Sequence, residues 1–295
     1  MDPMMVDAQE LQRRIQVYEG LYSNCAICPE NCRVDRTAGE QGRCRLGLEG
    51  RVYKEFVHFG EEPENTPTHA IYLAGCNFRC SYCSDLPWVE APGSVESTDP
   101  AWLAQRMELR IRQGAESVTF VGGTPDVQPL FVLQSLLEAQ ISVPVVWNSN
   151  LWLSRESLQL LDGIVDVFVP DFKYGPGRCD QELSGTPDTF EHLSRCLEDL
   201  RARKARVIVR HLVLPGHTDC CTRPVLQQLG QIWPAVRVNL MTAYRPFALV
   251  GQSGPMGRPA SRKDTEPVLT TLLQEFGDHL AITVDGQPWE PASRS

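Results

Sequence analysis

Three cysteines stand close together in Gly75-Cys76-Asn77-Phe78-Arg79-Cys80-Ser81-Tyr82-Cys83. They follow the apolar run Ala70–Ala74, so the segment reads as a loop leaving a strand. A [4Fe–4S] cube has four irons and is usually held by four thiolates. Three neighbouring cysteines, Cys76, Cys80 and Cys83, would leave one iron open to a substrate or cofactor. A closed zinc site wants a fourth ligand, and no cysteine or histidine follows nearby to supply it. Chance crowding of buried thiols is the remaining alternative, and the density of the group speaks against it.

A second group, Cys25-x2-Cys28-x3-Cys32-x11-Cys44, offers four thiols. Four closes a tetrahedral zinc site or a fully ligated iron–sulfur cluster, and the spacing does not choose between them. Pro29, Gly39 and Gly42 would let the loop wrap a metal. The alternative is a set of thiols in a flexible leader, which would leave this module without a staple. The other four cysteines, Cys179, Cys196, Cys220 and Cys221, are scattered and read as small buried or incidental thiols.

The elements that must carry these groups are legible in outline. Leu11, Ile15 and Tyr18 share one face of a helical leader. Residues 1–60 form this leader and a cysteine-rich module, with Arg51–Phe59 strand-like; residues 61–295 form the main domain. There, strand-like runs over Ala70–Ala74, Ser117–Val121, Val143–Trp147, Ile164–Val169, Arg206–Leu214 and Val236–Met241 alternate with helical segments. Asp99-Pro100 and Ser154 are helix-start signals. Further helices are predicted over about Val127–Ala139, Thr186–Lys204, Arg223–Ile232 and Thr265–Phe276. Alternation of this kind predicts an α/β fold with parallel strands, a partial (β/α)6 barrel. Chemistry then belongs at the strand ends, which carry Cys76, Gly122-Gly123, Asn148–Asn150, Asp171–Lys173 and Arg210-His211. The Pro/Gly-rich stretch Gly251–Pro259 reads as a mobile loop.

Composition narrows the class. The 295 residues suit one α/β barrel with a small appendage. The net charge of −9 argues against a nucleic-acid footprint. No apolar run reaches membrane-spanning length. Met1–Gln16 carries Asp2, Asp7, Glu10, Arg13 and Arg14 without an apolar core, so a cytoplasmic protein is expected.

The Cys-x3-Cys-x2-Cys spacing, with Tyr82 before its last cysteine, resembles the signature of the radical S-adenosylmethionine (SAM) superfamily. Val121-Gly122-Gly123-Thr124-Pro125 resembles the glycine pair through which that family binds the SAM amino group; Thr124 stands where the family often has Glu. From about residue 20 to 285 the chain is similar to relatives of pyruvate formate-lyase activating enzyme. Asp171-Phe172-Lys173-Tyr174 and Arg210-His211-Leu212-Val213-Leu214-Pro215-Gly216 are like motifs of that group.

The resemblance implies a [4Fe–4S] cluster on Cys76, Cys80 and Cys83, and SAM as the ligand of the open iron. It implies reductive cleavage of SAM to a 5′-deoxyadenosyl radical that takes hydrogen from a substrate. Tyr82, Gly122, Gly123, Asn148, Asp171 and Arg210 would then contact SAM or line its pocket. It further implies a reductant such as flavodoxin or ferredoxin, and a second Fe–S cluster or zinc at Cys25, Cys28, Cys32 and Cys44. Two other readings are an activase that makes a glycyl radical in a partner protein, and a non-catalytic iron–sulfur carrier.

Overall fold

The computed structural model describes residues 6–60, 62–139, 141–247, 250 and 254–289. Of the loop expected over 251–259, residues 251–253 lie outside the described residues. The strands are β1 (Val52–His58), β2 (Thr68–Leu73), β3 (Ser117–Gly122), β4 (Val145–Ser149), β5 (Val167–Pro170), β6 (Arg206–Leu212), β7 (Arg237–Met241) and β8 (Ala281–Val284). The helices are α1 (Ala8–Ser23), α2 (Leu86–Glu90), α3 (Pro100–Arg112), α4 (Pro129–Glu138), α5 (Arg155–Leu160), α6 (Cys179–Ser184), α7 (Thr189–Ala202), α8 (Arg223–Ile232) and α9 (Arg262–Phe276).

The expected α/β class holds, with eight strands in place of six. They follow chain order from β1 to β8 in a mostly parallel sheet that is not closed. The two beyond the six are β1, the strand-like Arg51–Phe59 of the sequence, which pairs antiparallel with β2, and β8, which pairs parallel with β7. Among the described residues no helix is long and apolar enough to cross a membrane.

The chain divides into two compact units, residues 1–77 with 85–168, and residues 78–84 with 169–295. In the first, β2, β3 and β4 run parallel, and β2 is buried along most of its length. Parallel strands covered on both faces need near-continuous apolar runs, and Ile71, Leu73, Val118, Phe120 and Trp147 supply them. Asp99 caps α3 by accepting from Ala101 N (2.7 Å), with Pro100 at the first helical position. Ser154 caps α5 in the same way.

Asp7 caps α1 by accepting from Glu10 N (2.8 Å), a bond worth about 1 kcal/mol. Leu11, Ile15, Tyr18 and Tyr22 of α1 are all buried. Each contributes roughly 1.5–3 kcal/mol, so packing rather than capping holds this helix. The Tyr18 and Tyr22 hydroxyls donate to Ser157 O (2.8 Å) and Val127 O (3.2 Å). The N-terminal helix is thus part of the first unit's core.

In the second unit β6, β7 and β8 are parallel. Leu197 of α7, Leu226 and Leu229 of α8 and Leu272 of α9 are buried, as are Val209 and Leu240 of the strands. Helix α6 was not expected; the predicted Thr186–Lys204 helix is shorter, and α6 precedes it.

Candidate active site

In the first unit the site is organised around the end of β2. Gly75 and Gly122 have φ of +82° and +102°, a region open to glycine. A Cβ on Gly123 would lie 2.1 Å from Gly75 O, and one on Gly122 2.5 Å from Leu73 N. The glycine pair therefore lies directly on the backbone that leads into Cys76. Gly123 N donates to Leu73 O (2.8 Å) and Thr124 N to Gly75 O (3.1 Å). Close approach of main chain to main chain is the first reason for glycine here.

Cys76 is buried, and Asn150 Nδ2 donates to its sulfur at 3.3 Å. Asn150 sits in the turn after β4, next to Leu151 with φ of +52°. Asp126 fixes that turn by accepting from Trp147 Nε1 (2.8 Å) and Trp152 N (3.0 Å). Burial pushes the Asp126 carboxyl up to about 6, against the hydrogen bonds from Trp147 and its neighbours. Sequence reading missed this residue, since an Asp after Pro125 looks like an ordinary turn. Asn148 is half-buried at the end of β4.

The first cysteine group lies in this same unit. Cys25, Cys28 and Cys44 are buried and Cys32 is half-buried. A Cβ on Gly42 would stand 2.9 Å from Cys32 Sγ, and Arg43 N donates to that sulfur at 3.3 Å. Burial pushes the Cys28 thiol up to about 12. Arg36 is fully buried, stacks 4.0 Å over the Tyr22 ring, and donates to Gly47 O (2.9 and 2.7 Å) and Val127 O (3.0 Å). Cys25 and Cys44 are within electrostatic reach of its guanidinium. The group also borders the triplet loop, because Arg43 Nε donates to Asn77 O (3.2 Å).

In the second unit residues 78–84 lie along α6, with Arg79 N and Ser81 N donating to Ser184 O and Leu183 O (2.8 Å each). Cys80 is buried, and the Tyr174 hydroxyl donates to its sulfur at 3.8 Å. The Tyr82 and Tyr174 hydroxyls are 2.8 Å apart, and the Tyr82 ring lies 6.2 Å from that of Tyr244. Burial raises the Cys80 thiol, with Lys173 the main charge opposing it. Cys83 is half-buried, its amide on Cys80 O (3.1 Å).

The polar strand ends of this unit converge. Lys173 Nζ is hydrogen-bonded to Asp171 Oδ2, and Arg210 Nε lies 3.9 Å from Asp171 Oδ1. The Arg210 guanidinium also points at the Met241 sulfur (2.9 and 3.1 Å). His211 is bound at both nitrogens, Nδ1 to Phe172 O (2.6 Å) and Nε2 to Thr222 Oγ1 (2.9 Å). Burial lowers its pKa to about 4, so it is a neutral structural residue.

Three of the four cysteines taken as incidental are gathered by the structure. Cys179, Cys220 and Cys221 meet His217, with all four ligand atoms within 4.8 Å of one another. The signal available in the sequence was His217-x2-Cys220-Cys221. Cys196 is a buried thiol 3.4 Å from His192 Nε2 on its own helix.

Comparison with known proteins decides the family. A match to the family described as Radical SAM superfamily spans residues 71–229, more than half of the chain. The chain belongs to the radical SAM superfamily. Membership implies a [4Fe–4S] cluster and SAM. The uncharacterized protein MJ0674 of Methanocaldococcus jannaschii is 35% identical over 88% of this chain and 77% of its own length. The 7-carboxy-7-deazaguanine synthase of Methanothermobacter thermautotrophicus is 26% identical over 72% of this chain and 84% of its own. Among solved structures, Streptococcus suis SuiB bound to its precursor peptide SuiA superposes with a TM-score of 0.52 at 14% identity. That match covers 72% of this chain and 46% of SuiB, so the chain spans about half the length of that structure. At this identity the likeness is one of fold.

The residues fit such a cluster. Donors aimed at Cys76 and Cys80 sulfurs stabilise the thiolate form, which is the form that binds iron.

Proposed function

We propose that Cys76, Cys80 and Cys83 hold a [4Fe–4S] cluster and that the protein is a SAM-cleaving radical enzyme. The observation that carries this reading is a three-cysteine loop in a radical SAM chain, with Asn150 and Tyr174 donating to two of its sulfurs. When bound, a cluster held by Cys76, Cys80 and Cys83 would supply the one electron for reductive cleavage of SAM to methionine and a 5′-deoxyadenosyl radical, which would take a hydrogen atom from substrate.

The chain's own residues bind, orient and shield. Asn150 and Tyr174 hold their sulfurs in place and favour the thiolate. Tyr82, Gly122, Gly123, Asn148, Asp171 and Arg210 are assigned to SAM by their resemblance to family motifs. Lys173 and Arg210 flank Asp171 and fix its orientation. Buried aromatic groups, Tyr82 and Tyr174, exclude water beside Cys80. A low-potential donor of the flavodoxin or ferredoxin kind supplies the electron. None of the eleven cysteines is in a disulfide, which suits a reducing, cytoplasmic setting.

Cys25, Cys28, Cys32 and Cys44 are assigned a second metal or cluster. The support is Arg36, whose buried positive charge beside Cys25 and Cys44 complements a thiolate-rich, anionic centre.

The test is anaerobic reconstitution with iron and sulfide, followed by SAM and dithionite. Formation of 5′-deoxyadenosine is expected, and its loss in Cys80→Ala. A reconstituted cluster that yields none, with SAM leaving its EPR spectrum unchanged, rejects the reading.

A further inference from the structure

We infer that Cys179, His217, Cys220 and Cys221 form a closed zinc site, separate from both cysteine groups described above. The distances are those of one ion's coordination shell. Cys179 Sγ lies 3.7 Å from Cys220 Sγ, and Cys220 Sγ lies 3.9 Å from Cys221 Sγ. His217 Nδ1 is 3.6 Å from Cys179 Sγ and 3.4 Å from Cys220 Sγ. A tetrahedral zinc with Zn–S of about 2.3 Å and Zn–N of about 2.0–2.1 Å sets S···S edges near ~3.8 Å and S···N edges near ~3.5 Å. These four separations fall on such edges, and the remaining two pairs, both to Cys221, lie within 4.8 Å. An iron–sulfur cube puts each thiolate on a different iron and needs a wider set. A disulfide needs sulfurs about 2.0 Å apart.

The backbone is shaped to bring these groups together. Residues Thr218–Thr222 form a π-type turn, in which Cys221 N (2.9 Å) and Thr222 N (3.3 Å) both donate to His217 O. Neighbouring side chains on an α-helix diverge by roughly 100°, and the wider turn lets consecutive cysteines face one point. A Cβ on Gly175 would lie 2.2 Å from Cys220 O, so the loop carrying Cys179 approaches this turn only with glycine there. Thiol-to-thiol hydrogen bonds are weak and give little reason to gather three cysteines on one imidazole nitrogen. Zinc does, because three thiolates and one imidazole complete its shell with no open position.

The role is structural. Cys179 opens α6, and the other end of α6 accepts the backbone amides of Arg79 and Ser81. Zinc would tie α6 to the turn before α8 and so hold the segment that carries Cys80. This last step rests on the proposed role of Cys80; the metal site itself does not.

Protein purified without oxygen from zinc-supplemented medium should contain one zinc per chain more than the Cys179→Ser/Cys221→Ser double variant. The exposed Cys220→Ser is the second variant, chosen because its fold is least at risk. Cobalt(II) substituted into the wild type should give intense thiolate-to-metal charge transfer and tetrahedral d–d bands, with charge transfer reduced by about a third in Cys220→Ser. Equal zinc in wild type and double variant overturns the inference. So does cobalt without thiolate bands, loss of iron and sulfide in place of zinc, or a zinc-free wild type with Cys179 and Cys220 disulfide-bonded. Iron at the triplet is counted in the same digest and does not enter the zinc difference, so the two readings fail separately.

Discussion

Asn150 donates an amide N–H to the Cys76 sulfur at 3.3 Å, from a turn that buried Asp126 holds rigid. Hydrogen bonds to cluster sulfurs raise reduction potential by offsetting the charge of the reduced state. Asn150→Ala should retain its iron but take up an electron at a more negative potential, seen in an EPR-monitored redox titration. An unchanged potential would show that the contact has no electronic role.

Gly123→Ala tests the contact between the glycine pair and β2. The added Cβ would stand 2.1 Å from Gly75 O, a backbone atom that cannot swing aside. A loss of about 1–3 kcal/mol or more is expected from urea denaturation. Gly20→Ala is the control. That glycine lies in α1 with nothing within 4 Å of the added atom, and alanine there should stabilise by roughly 0.5–1 kcal/mol.

Acid sensitivity should come from Glu55 and His69. Partial burial raises Glu55, but hydrogen bonds from Arg110 and Arg106 outweigh it and bring the pKa down to about 2. Burial brings His69 down to about 4, against the pull of Glu55 2.9 Å away. For both groups the unfolded chain binds the proton more readily, so stability rises with pH across the shift. On acidification His69 removes stability between about pH 6.5 and 4, and Glu55 between about 4.5 and 2. Glu55→Gln should flatten the lower part of that profile and cost roughly 1–3 kcal/mol at pH 7, read from denaturant midpoints at each pH.

Arg36 is held by Gly47 O and Val127 O and lies beside Cys25 and Cys44. Arg36→Met keeps the bulk but strips both carbonyls of their donor. A loss of about 1–3 kcal/mol is expected for each acceptor left buried and unsatisfied. Metal content should fall in the same variant, measured by elemental analysis. Full metal retention would remove the charge argument for the first cysteine group.

Where the determinants are local, the sequence was readable. Asp99-Pro100 and Ser154 mark helix starts because capping involves residues two or three apart. Leu11, Ile15 and Tyr18 mark a buried face because helix geometry repeats. Strand β8 was not legible: four residues, half of them partly exposed, carry too little pattern. Asp126 and the Cys179–His217–Cys220–Cys221 group were missed for another reason. Their partners are distant in sequence, Trp147 for one and Cys179 against His217 for the other, and only tertiary folding joins them. His211 lies at a strand end where chemistry is expected, but its two hydrogen bonds, to Phe172 and Thr222, make it a packed, neutral ring, and Thr222 is reached only through the fold.

The turn at Gly122-Gly123 has a chemical polarity that follows from its inward bonds. The amides of Gly123 and Thr124 are both committed to carbonyls of the neighbouring strand end. A visitor to this turn therefore meets main chain whose proton donors are already engaged. An incoming anion finds no free amide at Gly123 or Thr124.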